Sequence, residues 1–368
     1  MADIDIAQQI PLAAQRPPVI STGVLGWLRA NLFNSVFNTI LTALAVYLLV
    51  VTIPPLIRWA FIDAIWDAPN GQACRGAGAC WAFIGEKFRF ILFGRFPFTQ
   101  QWRPLVAVVI FILLILVSCD RRLWGRGLTL LWPAGLVLVG ILMWGGVFGL
   151  PYVGTEFWSG LPLTLILAVI GMVFAFPLAI LLALGRRSQL PAVRVVCVGY
   201  IELVRGVPLI TVLFMASVML PLFLPPGITI DKLLRAQTAF ILFAAAYLAE
   251  VIRGGLQAIP KGQIEAADAL GLGYWRRTRL IVLPQALAMV IPPLVNNFIS
   301  AFKNTALVLI IGLFDLLNTA NTSLTDASWQ GFAAEAYIFT AAIYFCFCFF
   351  MSRYSQMLER TFSQGRRR

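Results

Sequence analysis

Eight stretches of this 368-residue chain are long and apolar enough to cross a bilayer, and that constraint removes most folds at once. A hydrocarbon core of about 30 Å takes about 20 residues of helix. In lipid, every backbone N–H and C=O must find its partner inside the protein, which a continuous helix achieves on its own. The runs lie near 35–57, 103–118, 128–149, 160–184, 206–224, 236–253, 283–302 and 333–352. A further apolar stretch, 305–315, is too short to span and reads as a re-entrant or interfacial segment. Only 12% of the chain is charged, about half the share of a soluble domain. The predicted fold class is an all-α integral membrane protein of about eight transmembrane helices.

The charges then orient the bundle. A net charge of +12 would suggest nucleic acid in a soluble protein. Here the basic residues cluster at one set of span ends, so the surroundings are membrane lipid and no nucleic acid is expected. With the N-terminus inside, the cytoplasmic loops collect most of the Lys and Arg, including Arg121 and Arg122, Arg186 and Arg187, and Arg276, Arg277 and Arg279. Both termini are then cytoplasmic. Asp3 and Asp5 stand where a secretory signal would carry basic residues, so the first span is expected to be retained.

Several chemistries drop out. The chain has no histidine, which excludes His-ligated metals, Ser-His-Asp triads and histidine proton relays. It lacks a G-x-x-x-x-G-K-[S/T] phosphate loop, so any ATP hydrolysis by that route belongs to another polypeptide. No catalytic set, metal site or cofactor is predicted. Of six cysteines, Cys74 and Cys80 lie in a Gly-rich outer loop, GQACRGAGAC, where a disulfide can close. Cys346 and Cys348 read as small apolar residues of the last span.

Between two apolar runs, residues 254–282 form a polar, basic loop. Pro260 ends the preceding helix, a short helix follows over 263–270, and Gly271 suits the left-handed position that stops it. Ala266 and Ala267 give that helix small faces for a partner groove. On the next span Asn296, Ser300, Lys303 and Asn304 fall at i, i+4, i+7 and i+8, one polar stripe that should face a cavity or another subunit. It reads either as the lining of a translocation path or, at Lys303, as an intersubunit salt bridge or a lysine reaching the outer interface. Glu202/Arg205 and Glu250/Arg253 are spaced for i,i+3 ion pairs. The aromatic and basic segment 81–96 is placed at the membrane surface.

The loop pattern Glu265-Ala266-Ala267, three residues, Gly271, nine residues, Ile281-x-Leu283-Pro284 resembles the cytoplasmic coupling loop of bacterial ABC importer permeases. YIELVRGVPLI, YLAEVIRGGLQAIPKGQIEAADALG and FKNTALVLIIGLFDLL resemble the polar amino-acid branch. ACWAFIGEKFRFILFGRFPFTQQWRP resembles the M-type permease of general L-amino-acid importers. Ala306 departs from a family that more often has Ser there. The resemblance implies a MetI-like five-helix core, 157–357, preceded by a three-span extension, 33–150, with a periplasmic loop 58–102. Tails at 1–32 and 358–368 complete the chain. It further implies a bacterial inner-membrane location, a second permease, two copies of a cytoplasmic ATPase, a periplasmic amino-acid-binding protein and an L-amino-acid substrate. The competing class, a secondary transporter or channel, would show inverted repeats or an intramembrane acid relay.

Overall fold

A computed structural model describes residues 23–76, 78–123 and 125–364. Most of the expected tail 1–32, and the end of the tail 358–368, lie outside these residues. Among the described residues there is no β-strand, and seven helices are long and apolar enough to span a membrane. An eighth span exists if the bent pair Pro191–Arg205 and Leu209–Phe223, 104° apart, is counted as one. The chain divides into two compact units, one of Met1–Ile65 with Cys74–Ala79, the other of Trp66–Ala73 with Cys80–Arg368.

The first unit holds the helices Gly23–Asn31 and Val36–Ile57. Ser35 starts the second by accepting the Asn38 N–H at 3.2 Å. No residue of Val36–Ile57 is buried, as befits a span without a polar face. The loop beyond it folds back on the helix end, with the Ala79 N–H donating to Trp59 O at 2.7 Å and the Gly78 N–H to Asp63 O at 2.8 Å. Only glycine fits at 78, because a Cβ would lie 2.7 Å from the Asp63 carbonyl.

The second unit centres on two long helical runs, Gly160–Arg186 and Lys232–Gln257. Ala175, Ala179 and Ala183 recur every fourth residue and are fully buried, facing a core that includes Ala245, Leu248, Ala249 and Ile252. Lipid gives little drive for helices to associate, so small residues that let backbones approach closely do that work.

Spans Phe98–Cys119 and Gly127–Trp144 belong to this same unit. Arg103 contributes to that cohesion. Fully buried, it donates from Nε to Leu142 O at 2.6 Å, from Nη1 to Pro151 O at 2.9 Å and from Nη2 to Met143 O at 3.3 Å. Leu142 and Met143 are in the last turn of their helix, where carbonyls lack intrahelical partners.

Two expectations change here. The helix Trp81–Phe93 is not a surface element: Phe83 and Ile91 are fully buried. Thr319 Oγ1 donates to Ile91 O at 2.7 Å, and the Cys80 N–H donates to Glu335 Oε1 at 2.8 Å. Phe83 packs against Trp329 and Phe332, with ring centroids 6.1 and 6.0 Å apart. The seventh span is Ile291–Ile311, not 283–302. Pro292 and Pro293 can open a helix but cannot continue one, so the chain breaks at Val290. The segment expected to be re-entrant instead continues this span as a 3-10 turn, Thr305–Ile311.

Candidate functional site

The loop after Lys232–Gln257 folds as the helix Lys261–Ala269, with Pro260 at its start. Gly271 has φ +69°, its N–H donates to Asp268 O at 2.9 Å, and the Leu272 N–H donates to Ala267 O at 3.2 Å. Those two bonds are a Schellman stop. Arg277 Nη1 donates to Asp268 Oδ2 at 2.6 Å, and Gln285 Nε2 to Gln263 Oε1 at 3.1 Å, tying the helix to the returning chain. The π turn Thr278–Val282 contains Ile281, and Leu283 and Pro284 open the next helix.

The two alanines part company. Ala267 is 1% exposed within its own chain, the one buried residue of its helix, while Glu265 and Ala266 are exposed. Beside them stand Leu270 at 76% and Trp275 at 69% exposure. The loop therefore presents a stiff helix with large apolar side chains facing outward.

Two turns back from the end of the long helix, Glu250 gathers three arginines. Arg253 Nε donates to both its oxygens at 2.9 Å, Arg186 Nη1 is 3.3 Å from Oε2, and Arg205 Nη1 is 3.9 Å away. Glu202 pairs with Arg186 at 2.8 Å instead of the expected Arg205. The helix bend after Arg205 carries its side chain toward Glu250. Arg187 Nη1 also donates to Leu256 O at 2.7 Å. Spacing alone gave no sign of Arg186 in this cluster, because it comes from a helix some 60 residues earlier.

Further along the same helix a cavity of about 240 Å³ opens. Phe243, Tyr247 and Leu209 form its apolar wall, and Asn297, Ser300 and Asn304 its polar edge. Ser300 and Asn304 of the expected stripe line the cavity. Asn296 and Lys303 do not; both are exposed on the adjoining flank. The stripe is rotated so that Asn297 takes the place of Asn296. Asn297 and Tyr247 were missed. Their signal, an Asn pair and an aromatic residue every fourth position, was visible, but its direction was not. Cys74 and Cys80 are both buried. Among the described residues no cluster of His, Cys, Asp and Glu could hold a metal.

The fold and site define, among the described residues, an all-helical membrane protein with a polar-edged cavity and a protruding helical loop. The profile of the binding-protein-dependent transport system inner membrane component family matches residues 175–364. The inner membrane amino-acid ABC transporter permease protein YhdY of Escherichia coli (strain K12) is 50% identical over 94% of this chain and 95% of its own length. The glutamate/glutamine/aspartate/asparagine transport system permease protein BztC of Rhodobacter capsulatus is 38% identical over the whole of both chains. A solved structure described as an amino acid ABC transporter with histidines is 33% identical, covers 55% of this chain and 92% of that one, and superposes with a TM-score of 0.49. The chain belongs to the binding-protein-dependent transport system inner membrane component family: it is an ABC transporter permease, a multi-pass transport subunit.

Proposed function

We propose that this chain is one of two permeases forming the translocation path of an ATP-driven L-amino-acid importer. The amino-acid class rests on the names of YhdY and BztC. In this reading the loop end faces the cytoplasm, as do both termini, and the opposite end meets a soluble amino-acid-binding protein. The helix Lys261–Ala269 seats in a cleft of a separate ATPase, two copies of which drive the complex. Glu265, Ala266, Leu270 and Trp275 form its contact face. Ala267, Gly271, Ile281, Leu283 and Pro284 hold the loop in shape.

The observation that carries this proposal is continuity. The long helix Lys232–Gln257 lines the cavity with Tyr247, carries the Glu250 cluster one turn on, and ends three residues before the loop helix begins. A displacement of the loop helix is thereby passed to the cavity wall as a rigid-body movement. Ser300, Asn304 and Asn297 line the path in this chain, and Asn296 and Lys303 face the second permease across it. The disulfide at Cys74 and Cys80 is a small outer staple with no part in transport.

The test is co-purification from cells expressing the neighbouring genes, followed by reconstitution in proteoliposomes. ATPase activity that rises with the amino-acid-loaded binding protein, together with uptake of the amino acid, supports the reading. Uptake that persists without the ATPase would overturn it.

A further inference from the structure

The cavity and the ionic cluster meet at one side chain. Arg205 closes the helix Pro191–Arg205, and four residues later Leu209 already lines the cavity. The Arg205 guanidinium carbon lies 5.7 Å from the centre of the Tyr247 ring, itself part of the cavity wall. Tyr247 Oη donates to Arg205 O at 3.4 Å, which fixes the backbone at that point. Arg253 and Arg186 hold Glu250 at 2.9 and 3.3 Å, whereas Arg205 stands off at 3.9 Å. Among the described residues the Arg205 guanidinium donates no hydrogen bond. Three arginines share Glu250 and Glu202, so the cluster carries one uncompensated positive charge.

The polar edge of the cavity, Asn297, Ser300 and Asn304, adds a different chemistry. Asn297 Nδ2 is spent on Pro293 O at 2.9 Å and the Ser300 hydroxyl proton on Asn296 O at 2.8 Å. Asn297 Oδ1 and Ser300 Oγ are left to accept at this edge, beside the second Asn297 N–H. An amino acid placed between the two edges would set its ammonium against these oxygens and its carboxylate toward the guanidinium. A fork of five N–H donors suits a carboxylate bidentately.

We propose that Arg205 is the carboxylate-recognising residue at the loop end of the path, exchanging its loose contact with Glu250 for the α-carboxylate of the passing amino acid. This rests on the importer reading above and adds to it a named residue and the substrate group it takes. Release of Arg205 from Glu250 loosens the junction of three helices next to the coupling loop, so substrate arrival and loop movement share one element.

The experiment uses the purified full complex, without binding protein. Labelled L-glutamate, L-glutamine, L-aspartate and L-asparagine are competed by each unlabelled amino acid and by the same molecule with its α-carboxylate converted to a carboxamide. The wild type is expected to prefer the acid by about tenfold or more, the scale of one charge-assisted hydrogen bond. Arg205→Met should abolish that preference, Arg205→Lys should keep part of it, and Glu250→Gln, which removes the competing carboxylate, should widen it. Arg205→Met retaining the wild-type preference would overturn the proposal, as would a wild type that does not discriminate. Equal loss in Arg205→Met and Glu250→Gln would assign Arg205 to a structural latch and overturn it too. Failure of the importer reading is separate: the wild-type complex in proteoliposomes would then take up none of the four amino acids with ATP.

Discussion

Gly271 is required for its backbone conformation and not for space. A Cβ there would meet nothing within 4 Å, yet φ is +69°. A side chain in that left-handed state costs about 1–2 kcal/mol, so Gly271→Ala should loosen the helix stop without any clash. The expected result is faster hydrogen exchange across 261–272 and a several-fold drop in coupled ATPase, with normal membrane insertion. Ala267→Trp should act differently. Its Cβ is enclosed by this chain, so the variant should disrupt the loop itself and fail to bind the ATPase in pull-down assays. Ala266→Trp, on the exposed side, should leave the loop folded and block docking alone. Arg103 makes a third case. Arg103→Met would strand the Leu142, Met143 and Pro151 carbonyls, each at about 1–3 kcal/mol, and should lower the thermal midpoint of the purified protein measurably. Arg103→Lys should recover only part, because one ammonium cannot reach carbonyls spread as the guanidinium fork is.

At the scale of elements, punctuation decided more than hydrophobicity. Pro292-Pro293 moved the seventh span, and the Gly271 stop set the loop helix, both through local backbone chemistry readable in the chain. The segment 81–96 was misplaced because alternating aromatic and basic residues suit a lipid interface and a buried helix end equally. Its partners decide, and these lie more than 200 residues away at Thr319, Asp326 and Glu335. Lys87 Nζ donates to Asp326 Oδ2 at 2.6 Å, and that bond holds the Asp326 carboxyl below its usual value of 3.8. A carboxylate with a lowered folded-state value contributes stability above the unfolded value and loses it as pH falls through the folded one. Protection of Trp81–Phe93 against hydrogen exchange should therefore fall as pH drops below about 4. Asp326→Asn should remove that pH dependence.

For the whole molecule, the placement of Asn296 and Lys303 has the widest consequence. Both are exposed on a helix that is apolar enough to span, and an unpaired ammonium facing lipid is costly. Lys303→Met should reduce uptake strongly while basal ATPase and assembly with the second permease persist. Loss of the second permease on co-purification would place Lys303 in an intersubunit ion pair instead.

The amino-acid sequence by itself determined the membrane class, the approximate spans, the loop helix with its stop, and the type of residue that edges the cavity. Each of these depends on neighbours within a few positions, where helix period, proline and glycine act directly. Tertiary structure alone decided that Asn297 and not Asn296 faces the cavity. It also decided that Ala267 turns inward, that Arg103 is buried, and that Glu250 gathers arginines from three helices. Adjacent helical residues point about 100° apart, so a stripe fixes which residues travel together but leaves the helix free to rotate about its axis. Only packing against helices distant in sequence removes that freedom.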